Sequence, residues 1–257
     1  MAVRRGFVTQ VGMGYEESFE RADEYGLDFV EVMLDGAHER TRLDPDAVRE
    51  SAADHDLDLL VHLPFALDIA SPFEHVREGA LRELLAAIET AVDCGAEKGV
   101  VHASTSAWSA AWDPEDLRPN LFETVRELDE FARNHDFAVC VENIPGDLLP
   151  AGEFPDLFEA TEARMTLDTG HARMNGLSSE EMGDLLATHG DRITHIHLND
   201  TRKPADEHLP FGSGTIDFER VLEPLSEGWA GTLSLEVFTR EWDYIETSVD
   251  HLDALLA

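Results

Sequence analysis

Residues 165–176 read MTLDTGHARMNG, and residues 193–217 read ITHIHLNDTRKPADEHLPFGSGTID, with a helical interval between the two segments. In both segments a short apolar run, of the kind that forms a buried strand, leads into acidic residues, histidines and glycines. A strand whose far end carries such groups usually delivers them to a site. The ligand-type and acid/base residues of this region are Asp168, His171, His195, His197, Asp200, Asp206 and His208.

The same alternation of β-type runs and amphipathic helical stretches extends over the whole chain. Strands are predicted at residues 6–11, 27–34, 57–62, 99–102, 137–142, 164–168, 193–198 and 232–238. Helices are predicted at residues 15–25, 44–55, 73–94, 117–134, 153–161, 178–189, 217–225 and 240–256. Eight βα repeats imply parallel strands joined by right-handed crossovers, which predicts an α/β fold of the (β/α)₈ TIM-barrel class. An open doubly wound sheet is the alternative, but no glycine-rich phosphate loop follows the first strand.

No linker, low-complexity segment or change of composition interrupts the chain, so we expect one domain covering residues 1–257. The first residues lack the apolar segment of a signal peptide, and no apolar run approaches the ~18 residues of a membrane span. We therefore expect a cytoplasmic protein with no membrane partner. Cys94 and Cys140 fall near a helix end and in an apolar strand, where we expect buried thiols and no disulfide.

The formal net charge is -35, from 54 acidic and 19 basic residues, and only Lys98 and Lys203 are lysines. Dense carboxylates with few lysines suit a surface that stays hydrated at very high ionic strength, where salt screens their repulsion. We interpret the charge as halophilic adaptation to a salt-rich cytoplasm, because an acidic disordered tail would not show acids spread through an apolar periodicity. There is no basic stripe of the kind that binds nucleic acid in dilute salt.

In a barrel of this class the active site lies at the carboxyl ends of the strands and in the loops that follow them. The predicted strand ends carry Glu31, His62, His102, Glu142, Asp168, His197 and Glu236, and the loops add His171, Asp206 and His208. Taken alone, a strand-end histidine is often only hydrogen-bonded, and an acidic residue there can cap a helix. Buried carboxylates are costly unless they are paired or bind a cation, and Glu142 and Glu236 lie in apolar runs. The convergence of these residues therefore predicts a metal site.

Imidazole and carboxylate ligands without cysteine favour zinc, manganese or another divalent transition ion over calcium. Bridging carboxylates permit more than one ion. His195 lies two residues before His197 and faces the same side of the strand, where it is a candidate to support that ligand. Gly212 and Gly214 permit a tight turn that brings backbone close to the site, and a phosphate cradle is the less specific alternative.

Side chains of the predicted rim are candidates for substrate contact. Phe65, Trp108 and Trp112 either wall a substrate pocket or only cover the mouth of the barrel. Arg202 and Lys203 are clustered positive charges near the site, which could contact a phosphate or carboxylate of a substrate.

Several motifs together characterise the chain: LVHLPFALDIAS, VVHAS, CVENIPG, LDTGHA, HIHLND, the D-x-H of Asp206 and His208 followed by GSG, and LEV in the last strand. With these motifs nearly the whole sequence resembles the xylose isomerase-like TIM-barrel superfamily. That superfamily contains sugar phosphate isomerases and epimerases, and also the endonuclease IV type of apurinic-site endonuclease in the AP endonuclease 2 family.

The resemblance implies a set of metal ligands. The isomerases and epimerases hold one divalent ion with residues that match Glu142, Asp168, His197 and Glu236. The endonucleases hold three zinc ions, and the residues that match their additional ligands are His62, His102, His171, Asp206 and His208. We therefore expect one to three divalent ions, Mn²⁺ or Zn²⁺, with Mg²⁺ and Co²⁺ as further candidates.

The leading hypothesis is a metal-dependent isomerase or epimerase of a small sugar or sugar phosphate. Glu142 and Glu236 would remove and return a proton through an enediolate, while His171 and Glu31 hold substrate oxygens. Glu31 and the short interval between HLND and D-x-H separate the chain from the endonucleases, and Phe65 is its one plausible wedge into a duplex.

The alternative is an endonuclease IV-like, zinc-dependent hydrolase that cleaves phosphodiester bonds at abasic sites and would bind nucleic acid. A third hypothesis keeps the barrel as a metal-dependent sugar-binding module without catalysis. Related barrels often dimerise, so a homodimer is a further expectation.

Overall fold

The computed structural model describes residues 3–203 and 205–257, and its central element is a closed barrel of eight parallel strands. The strands are β1 (Arg4–Val8), β2 (Phe29–Met33), β3 (Asp58–His62), β4 (Lys98–His102), β5 (Ala138–Glu142), β6 (Arg164–Asp168), β7 (Ile193–Leu198) and β8 (Thr232–Leu235). Each strand pairs with its neighbours in sequence order, and β1 pairs with β8 to close the barrel. The predicted (β/α)₈ class is confirmed, and the open doubly wound sheet is excluded.

Helices follow the strands and cover the outside of the barrel. They are α1 (Tyr15–Glu24), α2 (Pro45–Asp54), α3 (Glu74–Asp93), α4 (Pro114–Arg133), α5 (Phe154–Ala160), α6 (Thr169–Met174), α7 (Ser179–His189), α8 (Phe218–Leu222) and α9 (Trp242–Leu256). Short 3₁₀ turns lie at Gly36–His38, Ala151–Glu153 and Glu223–Glu227. No helix in the described ranges combines the length and the apolar character that crossing a membrane requires.

Two helices begin at caps that the sequence marks. The Asp44 side chain accepts hydrogen bonds from the backbone N–H groups of Asp46 and Ala47 at the start of α2. Ser178 and Glu181 form a reciprocal capping box at the start of α7. Each cap satisfies backbone donors that would otherwise have no partner within the helix.

The main hydrophobic core lies between the barrel and its helices. Leu84 and Ile88 of α3 and Leu121 and Leu128 of α4 are fully buried there. Burial of each such side chain contributes about 1.5–3 kcal/mol, so this layer holds the helices against the strands. The free thiols of Cys94 and Cys140 are buried as well, which agrees with the expectation of core cysteines.

The element boundaries differ from the prediction in three places that concern the barrel rim. The eighth strand ends at Leu235 and not at residue 238, so Glu236 and Phe238 lie just beyond it. The first strand ends at Val8 and not at the predicted residue 11. The apolar run in the sequence continues past the last barrel pairing, and Val11 is exposed in the turn that follows. The one-and-a-half-turn helix α6 was not predicted, since six residues are too few to show a helical period.

The parallel register brings the carboxyl ends of the strands to one rim. His102 of β4 pairs with Glu142 of β5, and Asp168 of β6 pairs with His197 of β7. Residues that are far apart in the sequence are therefore adjacent at this end of the barrel, which is where binding sites form in this fold.

Candidate metal centre at the carboxyl ends of the strands

Four buried ligand-type side chains meet at the centre of the rim. One ligand atom from each of Glu142, Asp168, His197 and Glu236 lies within 4.8 Å of the others. The Nδ1 atom of His197 lies 3.2 Å from Glu236 Oε2 and 3.6 Å from Glu142 Oε1. These are the four residues that the resemblance to the isomerases and epimerases implies for a single-ion site.

Two histidines flank Glu142 on the side of β3 and β4. The Nε2 atoms of His62 and His102 lie 3.5 and 3.2 Å from Glu142 Oε2 and 3.1 Å from each other. His62 donates its Nδ1–H to the carbonyl of Leu63, which leaves its Nε2 free to face the site. Two imidazole nitrogens and one carboxylate oxygen therefore form a second group with the composition of a zinc site.

A third group lies on the opposite flank and consists of Asp168, His171 and His208. His171 donates Nδ1–H to the carbonyl of Asn143, and its Nε2 lies 3.5 Å from Asp206 Oδ1. Asp206, half exposed, also lies 2.6 Å from His208 Nδ1. His208 has φ of 43°, a left-handed conformation that non-glycine residues adopt mainly where the surrounding structure imposes it.

Several buried polar atoms of this centre lack hydrogen-bond partners. They include both oxygens of Glu142 and the Nδ1 atoms of His197 and His208, although charged neighbours lie within 4 Å of each. Buried polar groups are normally hydrogen-bonded, so lone pairs that converge without donors are best satisfied by a cation. The donor set fits one divalent ion at the central group and has room for further ions at the two flanking groups.

The charge balance of the centre supports the same interpretation. Burial raises the pKa of Glu142 and of Glu236, but surrounding histidines outweigh it and hold each pKa well below its ordinary value. Burial dominates at Asp168 and raises its pKa to about 6. Conversely, burial lowers the pKa of His208, but the nearby carboxylates of Glu236 and Asp206 outweigh this effect and raise that pKa to about 10. Without a metal ion, protonated imidazoles must balance the carboxylates, and a divalent cation can take over that role.

Two asparagines, which the sequence reasoning did not assign, orient Asp168. Asn143 exchanges two hydrogen bonds with the Asp168 backbone, and Asn199 donates its side-chain amide to Asp168 Oδ2 at 2.6 Å. The close approach of Asn199 requires Gly170, where a Cβ would lie 2.0 Å from its side-chain oxygen. Asn143 lies in the motif CVENIPG directly after Glu142, and Asn199 lies in HIHLND two residues after His197. This proximity to ligand-type residues is the feature of the sequence that could have identified them. The Asp168 carboxylate also caps α6 through the backbone N–H of His171, so it serves as a cap and as a ligand-type group.

Asp200, another ligand-type residue of the quoted stretch, has a structural role. Its carboxylate accepts hydrogen bonds from the backbone N–H groups of Thr201, Gly214 and Ile216 at 2.8, 2.7 and 3.1 Å. A Cβ at Gly214 would lie 2.2 Å from that carboxylate. The glycine therefore permits the tight loop that the sequence predicted, and Asp200 secures it.

Glu31 does not lie where the sequence analysis expected it. We predicted a contact with a substrate hydroxyl, but the side chain is fully buried beneath the rim. Its oxygens lie 3.0 Å from His195 Nε2 and 3.1 Å from His197 Nε2. Burial would raise the pKa of Glu31, but His197 and His195 outweigh it and hold this pKa below its ordinary value. Burial lowers the pKa of His195 to about 4. His195 thus supports His197 through Glu31, as its position in the strand suggested.

A cavity of about 610 Å³ opens above these ligand-type groups. His62, His102, His171, His208 and Glu236 form its polar floor. Its walls are mainly apolar: Phe238 stacks on His208 with ring centroids 3.9 Å apart, and Phe65 lies 6.1 Å from His102. Phe65 thus lines the cavity wall, which is one of the two alternatives that the sequence left open, whereas Phe238 was not anticipated.

Three predicted substrate contacts lie outside the lining of this cavity. Arg202 is exposed and donates to Glu207 Oε1 at 2.8 Å, and neither it nor its neighbour Lys203 is among the lining residues. Trp108 is 73% exposed beyond the rim. The loop sequence around these residues gave no information on their direction. The described lining residues include one arginine, Arg240, which follows β8, and no lysine.

Comparisons with known proteins agree with this geometry. A family model described as xylose isomerase-like TIM barrel matches residues 19–255. The uncharacterized protein MJ1311 of Methanocaldococcus jannaschii is 30% identical over 230 residues, which cover 85% of this chain and 78% of that protein. The probable endonuclease 4 of Mycobacterium leprae is 29% identical over 213 residues, covering 77% and 80%. A solved structure of a D-tagatose 3-epimerase-like protein has a TM-score of 0.86 at 28% identity, covering 99% and 97%.

Proposed function

Because the chain belongs to the xylose isomerase-like TIM-barrel family, we propose that it is a divalent-metal-dependent epimerase or isomerase of a small sugar. The observation that carries the proposal is a pair of buried carboxylates, Glu142 and Glu236, which both lie within 4 Å of His197 Nδ1. Glu236 also lines the cavity above them. The likeness to the D-tagatose 3-epimerase-like protein supports it.

The four residues that would hold the principal ion are Glu142, Asp168, His197 and Glu236. When bound, the ion would supply positive charge that stabilises the negative charge developing on substrate oxygens. Imidazole and carboxylate ligands suit Mn²⁺ or Zn²⁺, and Mg²⁺ or Co²⁺ remain candidates.

The proton transfer is assigned to the two glutamates. Glu142 would remove a proton from the carbon next to the substrate carbonyl, and Glu236 would return one to the opposite face, giving an enediolate between the two steps. His171, whose Nε2 faces the cavity, would hold a substrate oxygen. Phe65 and Phe238 would cover the apolar edges of the sugar and limit access of water.

A second candidate function is supported by the two flanking ligand groups. Glu142 is shared with His62 and His102, and Asp168 is shared with His171 and His208, so the centre offers positions for three ions. The relative named probable endonuclease 4 points in the same direction. The alternative is therefore a zinc-dependent phosphodiester hydrolase acting on abasic DNA. The net charge of -35 and the presence of a single arginine and no lysine among the described lining residues disfavour a nucleic-acid substrate at low salt.

Two measurements separate these functions. The first is metal content per chain, by elemental analysis of protein purified in high salt without chelators or metal-affinity tags. The second is incorporation of solvent deuterium into a panel of ketoses and ketose phosphates, run beside a nicking assay on an abasic duplex. About one ion with deuterium incorporation supports the epimerase. Three zinc ions with nicking and no deuterium incorporation would support the hydrolase and overturn the epimerase. If the protein shows neither activity, the remaining hypothesis is the sugar-binding module.

A further inference from the structure

Five buried polar side chains form a continuous hydrogen-bonded series inside the barrel. They are Lys98, Thr232, His195, Glu31 and His197, each between 0 and 6% exposed. Lys98 and Thr232 are the first residues of β4 and β8, at the amino-terminal end of the barrel, and His197 is at the opposite end. The series therefore links the base of the barrel to the candidate metal centre.

The direction of the first hydrogen bond is fixed by chemistry. The Lys98 ammonium can only donate, and its Nζ lies 2.8 Å from Thr232 Oγ1. The Thr232 hydroxyl therefore accepts there and has its own proton to donate elsewhere. His195 Nδ1 lies 2.6 Å from that hydroxyl, whereas the carbonyl of Thr194 lies 3.4 Å away and already accepts from Lys98. Because the hydroxyl has one proton to donate, we assign it to the shorter contact, with His195 Nδ1 as the acceptor.

The remaining protons follow from this step. A neutral imidazole that accepts at Nδ1 carries its proton on Nε2, so His195 donates to Glu31 Oε2 over 3.0 Å. A carboxylate only accepts, so Glu31 Oε1 takes the Nε2–H of His197 over 3.1 Å. His197 is then left with a lone pair on Nδ1. That atom faces Glu142 and Glu236 and has no hydrogen-bond partner.

We propose that Glu31 is a positioning residue that fixes His197 as an Nδ1 ligand, and that Lys98, Thr232 and His195 set the proton order that allows it. This assigns to Glu31 a role in metal affinity in place of the substrate contact expected from the sequence. The inference rests on the metal centre of the proposed function but on neither reaction.

The direct test is spectroscopic. Protein with ¹⁵N-labelled histidine, loaded with Zn²⁺ alone, is examined by long-range ¹H–¹⁵N correlation, which reports the ring nitrogen that carries each proton. We expect both His195 and His197 to be protonated on Nε2, with the His197 Nδ1 resonance shifted by the metal. A proton on Nδ1 of either ring would overturn the proposal. No substrate is present, so the result is independent of whether the protein is an epimerase.

The matched variant is Glu31→Gln. Its amide keeps one acceptor but introduces a donor, so one imidazole must give up its Nε2–H. We expect Zn²⁺ affinity, measured by competition with a chromophoric chelator, to fall about 10- to 100-fold. The control is Asp23→Asn, which removes an exposed carboxylate 3.0 Å from His55 Nδ1 and should leave the affinity unchanged. Unchanged affinity in Glu31→Gln would contradict the proposal, and the wild-type spectrum decides it even if that variant does not fold.

Discussion

Glu142 is the residue on which the ligand groups converge. One of its oxygens faces His62 and His102, and the other faces His171 and His197. Both oxygens are buried without a hydrogen-bond donor, so the charge of Glu142 depends on the positive groups around it. The same side chain thus belongs to two of the ligand-type groups and, in the proposed function, is an acid/base group.

Replacement of Glu142 by glutamine should greatly slow proton transfer while preserving the shape of the site. We expect the rate of solvent deuterium incorporation into an active ketose to fall by at least about 10²- to 10⁴-fold, because a neutral amide cannot accept the proton. Glu50→Gln on the exposed face of α2 is the control and should keep the wild-type rate. An exchange rate in Glu142→Gln equal to that of the control would remove Glu142 from the mechanism.

Removal of the metal should lower stability, because the buried carboxylates lose their counter-charge. We expect chelation to lower the free energy of unfolding by about 2.7 kcal/mol if the ion was present at 100 times its dissociation constant. Differential scanning calorimetry with and without chelator measures the change, and chelator saturated beforehand with the same metal is the control. An unchanged melting temperature would argue against a resident ion.

At the scale of elements, caps and loop contacts place the helices relative to the rim. The Ser178–Glu181 capping box starts α7, the helix that lies between β6 and β7 in the chain. Asp200 secures the loop after β7 through three backbone N–H groups. These contacts stabilise the segments that carry ligands without touching the cavity.

Substitution of Ser178 by alanine should destabilise the fold without changing metal binding. It removes the acceptor for the Glu181 backbone N–H, and loss of such a cap costs about 1 kcal/mol. Chemical denaturation measures the free energy of unfolding, and Ser213→Ala in an exposed loop is the control. A stability equal to that of the control would show that the cap contributes nothing in this context.

At the scale of the whole molecule, the surface is dominated by unbalanced negative charge. The 54 acidic residues exceed the 19 basic residues by 35. Even if every basic side chain were paired, most carboxylates would repel their neighbours in dilute salt. The folded state should therefore depend on screening by dissolved ions.

Stability should rise steeply with salt. The Debye length falls from about 10 Å at 0.1 M to about 3 Å at 1 M, which removes most repulsion between surface carboxylates. We expect the thermal midpoint to increase across this range of KCl, and a titration with uncharged sucrose should give a much smaller rise. A midpoint that does not depend on KCl would rule out adaptation of the surface to high salt.

Most of the barrel and many of its rim residues could be predicted from the sequence because the relevant signals are local. Apolar runs a few residues long mark strands, and the polar residue that ends each run marks the rim, as at His62, Glu142 and Asp168. Capping at Ser178 is likewise encoded within four residues. The ligand-type residues that the structure gathers in three groups were thus visible before any contact was known.

Only the tertiary structure decided what several of those residues do. Glu31 and His195 are separated by 164 positions, and Phe238 in the segment after β8 stacks on His208 in the loop after β7. Arg202 carries the charge expected of a substrate contact but pairs with Glu207 outside the cavity. Periodicity specifies which face of an element is buried, while the partner across the barrel depends on closure and register. The sequence by itself therefore determined the fold class and the chemical types at the rim, and barrel closure determined which of them meet.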